Sequence, residues 1–263
     1  AHVRVLPNNE IMKRALFLSP HLDDVVFSCG ATLLRLLESG WQAEVITIFT
    51  GNVASPRGFA LECQTSKGIA PDVDYMALRR AEDRAALEIL GASNISNWEF
   101  LEAPHRGYDS PPELFAGMRL GDEIWRQIAE KLAPLSDFDL VFAPQGLGNH
   151  VDHLQLIRAV LELGWAPKTA WYRDTPYAIR EPEARPSPLL PTELQPFAAP
   201  FDAPVLERKI AACCAYASQI GFQFGGEAEV ARKLTAFHAS EAEPANSPFA
   251  ERFLRAPGSE FLL

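Results

Sequence analysis

The stretch Ala15–Gly30, ALFLSPHLDDVVFSCG, constrains this chain more than any other. A short apolar run, Ala15–Leu18, halts at Ser19-Pro20; His21, Asp23 and Asp24 follow at once, and an amphipathic segment begins. In a parallel α/β sheet this is a strand's carboxyl end opening into a helix, where such folds place their chemistry. One imidazole and two carboxylates in four residues form a costly cluster unless something cationic sits among them. An aspartate N-cap accounts for one carboxylate, not for two beside a histidine. A metal ion is the simplest counter-charge. A second cluster, His150-Val151-Asp152-His153 within GNHVDH, follows another apolar run, Leu140–Ala143, through Gly146-Leu147-Gly148.

The rest of the chain reads as the frame that joins the two clusters. The patterning predicts strands at Ala15–Ser19, Ala43–Phe49, Asn94–Leu101, Leu140–Ala143 and Thr169–Arg173. Between them it predicts helices at Asp24–Ser39 (Leu33, Leu34, Leu36 and Leu37 inward), Tyr75–Leu90, Glu113–Leu132 and Val151–Leu163. Gly40, Gly91 and Gly164 stop three of these helices. Strands alternating with helix-length crossovers give a mostly parallel sheet with helices on both faces, an αβα sandwich of the α/β class. The polar segment Gly51–Pro71 is longer than a connection requires and reads as a loop on a binding rim. Seven prolines fall between Arg180 and Pro204, so residues 181–204 are expected as a rigid surface excursion, neither regular helix nor central strand, over the site mouth or at a subunit contact. Helices at Val205–Ile220 and Glu227–Phe237 close the chain, so residues 205–263 are expected as a helical elaboration of a core spanning 14–180, all in one domain.

Composition narrows the function. A net charge of -10 without a basic stripe argues against nucleic acid as a partner. No apolar run approaches the roughly 20 residues of a membrane span, and Ala1–Glu10 is polar, unlike a signal peptide. Cys29, Cys63, Cys213 and Cys214 make no C-x-x-C pair, and two are adjacent, which suits thiols used as small core residues in a reducing cytoplasm. The expected partner is a small molecule; a homo-oligomer is compatible.

His150 and His153, three apart at a helix start, face the same way. Two imidazoles and a carboxylate leave coordination positions open, as in catalytic metal sites. The Gly-x-Gly before them lacks a third glycine and follows the wrong strand for a dinucleotide site. Arg79 is read either as a substrate residue or as a solvated partner of Glu82. Arg106 and Asp109, in the loop after the third strand, are candidates for sugar hydroxyls or an anionic aglycone, with an exposed charged loop as the plainer reading. Tyr172, Arg173, Asp174 and Tyr177 are candidates to line the pocket or simply to pack; His105 is read as plain, Trp41, Trp98, Trp125, Trp165 and Trp171 as core or edge, and His2 and His238 are given no role.

The pair PHLDD and GNHVDH resembles the LmbE-like, or PIG-L, deacetylases, whose signature is [AS]-H-P-D-D followed by H-x-D-H; Arg79-Arg80-Ala81-Glu82 to Leu90-Gly91 is similar to the family's R-x-x-E…LG segment. The departures are Pro20, Leu22 in place of proline, and Val25 where many members carry glutamate. The resemblance implies a Rossmann-like, zinc-dependent domain that removes acetyl groups from N-acetylglucosamine-type amides. It implies His21, Asp24 and His153 as metal ligands and Asp23 as general base. His150 becomes the group that polarises the carbonyl, as a protonated imidazole, and Asp152 the acid that orients a histidine. The implied reaction is attack by metal-bound hydroxide, giving acetate and a free amine. Iron(II) is the alternative metal, since the donors suit both. Two other readings stand beside this one. The first is a two-histidine, one-carboxylate oxygenase, against which speak Asp23 and the α/β pattern; the second is a non-catalytic sugar-binding module.

Overall fold

The computed structural model describes residues 12–243 and 247–259; the expectations for His2 and Ala1–Glu10 lie outside them. The apolar runs form a seven-stranded sheet: β1 (Arg14–Ser19), β2 (Gln42–Thr47), β3 (Asn94–Asn97), β4 (Leu140–Pro144), β5 (Thr169–Tyr172), β6 (Gln195–Phe201) and β7 (Phe249–Arg255), in spatial order β3-β2-β1-β4-β5-β7-β6. β1 to β5 pair in parallel, and β7 runs antiparallel to both β5 and β6. The strand order reverses between β1 and β4, so these two neighbours open the crevice in which doubly wound sheets bind their ligands.

Alternation along each strand splits the core in two. Ala15, Phe17, Leu140, Phe142 and Tyr172 pack on one side with α1 (Asp24–Glu38), α3 (Tyr75–Ile89), α8 (Ala203–Cys214), α9 (Ala217–Phe224) and α10 (Glu227–Glu241). Leu16, Leu18, Val141, Ala143 and Trp171 face α5 (Ile124–Leu132) and α6 (Val151–Glu162) on the other. Gly146, between β4 and α6, has φ +74°, and a Cβ there would meet Ile157 Cδ1 at 2.8 Å; only glycine makes this turn.

Several segments differ from the sequence-based expectation. The expected loop 51–71 contains a helix, α2 (Gly58–Thr65), whose residues are mostly half-exposed. The helix expected over 113–132 is broken: α4 (Pro111–Leu114) ends early, and Gly117 and Gly121 at φ +96° and +88° separate it from α5. The helix expected over 205–220 stops at Cys214 and resumes at Ala217. Residues 195–201 of the proline-rich segment form β6, an edge strand, where proline's missing N–H costs no ladder bond. The C-terminal part is not wholly helical, because β7 inserts between β5 and β6. All four cysteines are free thiols, Cys29 and Cys213 buried.

Candidate metal centre and active-site cavity

Both clusters converge at the crevice. The turn from β1 into α1 is tied by its own polar groups: Ser19 Oγ donates to His21 O at 2.7 Å and accepts from Val25 N–H at 3.1 Å, and His21 N–H donates to Asp24 Oδ2 at 2.8 Å. Those bonds hold Asp23 at φ 146°, a region L-residues rarely enter and one whose strain costs about 1–3 kcal/mol. Strain of this kind, stored in a buried carboxylate at a helix start, marks a positioned group.

Asp24 Oδ2 lies 3.3 Å from His21 Nδ1 and 3.4 Å from His153 Nε2. A tetrahedral ion with donor bonds of about 2.0–2.1 Å sets its donors about 3.3–3.4 Å apart. His153 Nε2 is buried and has no hydrogen-bond partner among the described residues. The far nitrogens of both rings are held by carboxylates: His21 Nε2 by Asp152 Oδ2 at 2.9 Å, His153 Nδ1 by Asp174 Oδ1 at 2.5 Å. This carboxylate–histidine pairing is how metal-ligating imidazoles are oriented. The three residues therefore fit a divalent cation. The side-chain nitrogens of His21, His150 and His153 also fall within 4.8 Å of one another, but that spread is wider than coordination requires, and a carboxylate donor neutralises the dication better.

The charges tell the same story. Burial opposes it, yet Asp152 and Asp24 hold His21 up at about 9, and Asp24 and Asp174 hold His153 up at about 10. The carboxylates thus make the pocket favourable to positive charge. Burial also works against Asp152, but His21 and Arg106 keep it well below the usual carboxylate range. Burial, then the Asp24 charge, raises Asp23 to about 7, against Arg79 and His21. Burial and the neighbouring His21 push His150 down to about 3. The Asp152 carboxylate turns to His21 and Arg106 rather than to the His150 ring. His150 Nδ1 accepts the Asp152 backbone N–H at 3.3 Å, which leaves the ring hydrogen on Nε2.

A cavity of about 440 Å³ opens over these groups, bordered by His21, Asp23, Asp24, His150, Arg79 and Glu102 among others. Arg79 is buried against Glu102 (2.6 Å) and Asp23 (3.7 Å) rather than paired with Glu82, whose carboxylate takes Ser218. Three candidates fall elsewhere. Tyr172 is fully buried in the core, its hydroxyl donating to Leu18 O at 3.0 Å. Arg106 lies beneath the site, spending its guanidinium on Asp152, Asp122 and Leu101 O. Asp109 is exposed and outside the cavity; His105, half-buried, is outside it too. Tyr177, which opens the short helix α7 (Tyr177–Arg180), does line the cavity, while Arg173 turns to Glu241. Four of the five tryptophans are buried and Trp41 is partly so; His238 is buried on Ala250 O. Residues of the segment 51–71, expected at a binding rim, do border the cavity through α2; sequence reasoning missed Glu102 and the wall contributed by α9, which carry no local signal.

Residues 16–163 match the family model described as GlcNAc-PI de-N-acetylase, PIG-L. The chain is 30% identical over 214 residues to a 2'-N-acetylparomamine deacetylase of Streptomyces fradiae, covering 78% of this chain and 73% of that protein. Among solved structures it is similar to the A40926 pseudoaglycone deacetylase, with 28% identity, TM-score 0.74 and coverage of 95% and 99%. It is also similar to a deacetylase of the teicoplanin biosynthesis pathway, with 25% identity, TM-score 0.77 and coverage of 94% and 100%.

Proposed function

The chain belongs to the GlcNAc-PI de-N-acetylase (PIG-L) family, and on that premise we propose that it is a metal-dependent hydrolase removing the acetyl group from an N-acetyl-aminosugar conjugate. The observation that carries the metal is Asp24 Oδ2 at coordination spacing from both His21 Nδ1 and His153 Nε2, with His153 Nε2 otherwise unpartnered among the described residues. Zinc or iron(II) suits these donors, and when bound it would act as a Lewis acid and make water a better nucleophile at neutral pH.

The chain's own residues do the rest. Asp23, raised toward neutrality and facing the cavity, takes the proton of the attacking water and returns it to the departing amine. Arg79 keeps Asp23 in place through their 3.7 Å contact and its bond to Leu22 O. His150, neutral with its hydrogen on Nε2, donates to the amide carbonyl oxygen as negative charge develops there, the kind of stabilisation that acts only in the transition state. Asp152 and Asp174 fix the ring orientations of His21 and His153. Free thiols support a cytoplasmic location, and no described helix is long and apolar enough to cross a membrane.

Acetate release from N-acetylglucosamine conjugates, measured beside metal content, tests this reading. Asp23→Asn should keep its metal and lose about 10²–10⁴-fold in turnover. His153→Ala should lose both. Wild-type protein that takes up no divalent ion, or Asp23→Asn protein with undiminished turnover, would refute it.

A further inference from the structure

The cavity joins unlike surfaces. Beside the polar groups His21 and Asp24, α2 contributes Phe59 and Cys63, α9 contributes Phe222, and the end of α4 contributes Leu114 with Phe115 just beyond it, the Phe115 ring centre 5.4 Å from that of His150. Phe222 is 61% and Phe115 39% exposed, two of only six large hydrophobic side chains so exposed among the described residues, and both sit on this one cavity. Neither is needed by the core. Phe224, two residues after Phe222, is the α9 residue that packs on Phe27, with ring centres 5.1 Å apart. Only Gln64 of α2 is buried, so this helix adds little to the core and instead walls the cavity.

Three of the cationic and amide groups on this side, Lys67, Gln219 and Arg79, already have partners; Glu62, Ser66 and Gln223 complete the polar part of the rim. Lys67 Nζ donates to Cys63 O and Tyr75 Oη, each at 2.9 Å, and lies 5.5 Å over the Phe222 ring. Gln219 Nε2 donates to Tyr75 Oη and Ser218 Oγ, and the Arg79 guanidinium to Glu102 and Leu22 O. A sugar hydroxyl or an anion that used Lys67, Gln219 or Arg79 would displace bonds already made, whereas an apolar group only releases water from the exposed rings. The volume, about 440 Å³, lies in the range of about 300–1,000 Å³ that takes a ligand of drug size, more than the acetamide alone requires.

We infer that this wall is a subsite for an apolar substituent, an alkyl chain or aryl ring, carried by the aminosugar next to the scissile amide. The inference rests on the deacetylase reading and names the kind of conjugate. One chemistry can come from two positions, the aglycone or the N-acyl group, and the test separates them.

Calorimetry with the metal-loaded enzyme compares methyl with hexyl glucosaminide, the amine products, so binding is read without turnover. A parallel titration of Asp23→Asn protein compares N-acetyl with N-hexanoyl methyl glucosaminide. A fully buried methylene favours binding about fourfold, so a hexyl chain half covered by the wall should bind at least about tenfold tighter than methyl. Phe222→Ser and Phe59→Ser should each cut that ratio about threefold or more, and Ile89→Ser, an exposed apolar site away from the cavity, should leave it at the wild-type value. A preference in the first pair places the apolar group on the aglycone; one in the second places it on the acyl group. Equal affinities in both pairs, or a preference that survives both phenylalanine variants, would overturn the inference. A hexyl preference sensitive to Phe222→Ser in an enzyme that releases no acetate would sustain the subsite and sink the deacetylase reading instead.

Discussion

The Lys209–Glu251 pair makes the sharpest stability prediction in the molecule. Helix α1 is broken at Cys29 (φ −136°, ψ 25°), so the N–H groups of Ala31 and Thr32 need other acceptors. Glu251, reaching in from β7, supplies them: it accepts from Ala31 N–H at 3.0 Å, Thr32 N–H at 2.7 Å and Thr32 Oγ1 at 2.6 Å. Lys209 of α8 sits at 2.6 Å from the same carboxylate, and the side chains are 0% and 1% exposed. Lys209→Met keeps the apolar stem and deletes the charge. Removing one member of a buried pair costs about 3–5 kcal/mol; the three remaining donors on Glu251 set the loss near the lower end, about 3 kcal/mol. For a chain of this size that is a fall in Tm of about 6–12 °C. Glu251→Ala should be worse by at least about 2 kcal/mol, because it strands the ammonium and orphans two backbone donors at about 1–3 kcal/mol each. Against a total stability of about 5–15 kcal/mol, that variant should lose about a third of it or more. Urea unfolding at neutral pH, with chelator present so that metal binding does not enter, measures both. Lys209→Met within about 0.5 kcal/mol of wild type, or Glu251→Ala no worse than Lys209→Met, would refute the reasoning.

Two further outcomes follow from the geometry. Asp174→Asn weakens the 2.5 Å hold on His153 Nδ1 and should lower metal affinity about 10–100-fold, read by competition with a metallochromic chelator; an unchanged affinity would remove Asp174 from the site. His238 is buried on Ala250 O, and burial, with the Lys209 charge, pushes its pKa well below 6.5. Only the unfolded chain takes up that proton as pH drops below 6.5, so this histidine lowers stability by up to about 1.4 kcal/mol per pH unit there; His238→Phe should flatten the slope between pH 6.5 and 5, and equal slopes would rule the histidine out.

Much of this architecture is legible one segment at a time. The runs Ala15–Ser19 and Leu140–Ala143 are too short and apolar for anything but buried strands, and Gly40, Gly91 and Gly164 end their helices with φ of +84°, +84° and +67°. Parallel strands joined by helices put their carboxyl ends on one rim, so His21 and His150 were bound to meet. Local signals failed where two outcomes share one pattern. The period over 113–132 is helical, but Gly117 and Gly121 break it; the proline-rich segment excluded a central strand yet left room for the edge strand β6.

What the sequence alone determined, then, was the five parallel strands, their shared rim and the residue types gathered there, because hydrophobic period and turn chemistry are properties of neighbours along the chain. Which carboxylate holds which imidazole was decided by the tertiary structure. Asp152 serves His21 and not His150, and Asp174, expected only near the pocket, serves His153. Arg106 was drawn beneath the site and Tyr172 into the core, while Phe59 and Phe222, far apart in sequence, came to share one cavity wall. A side chain's partner depends on the register of strands and the packing of helices brought together from distant parts of the chain, and no local pattern encodes those distances.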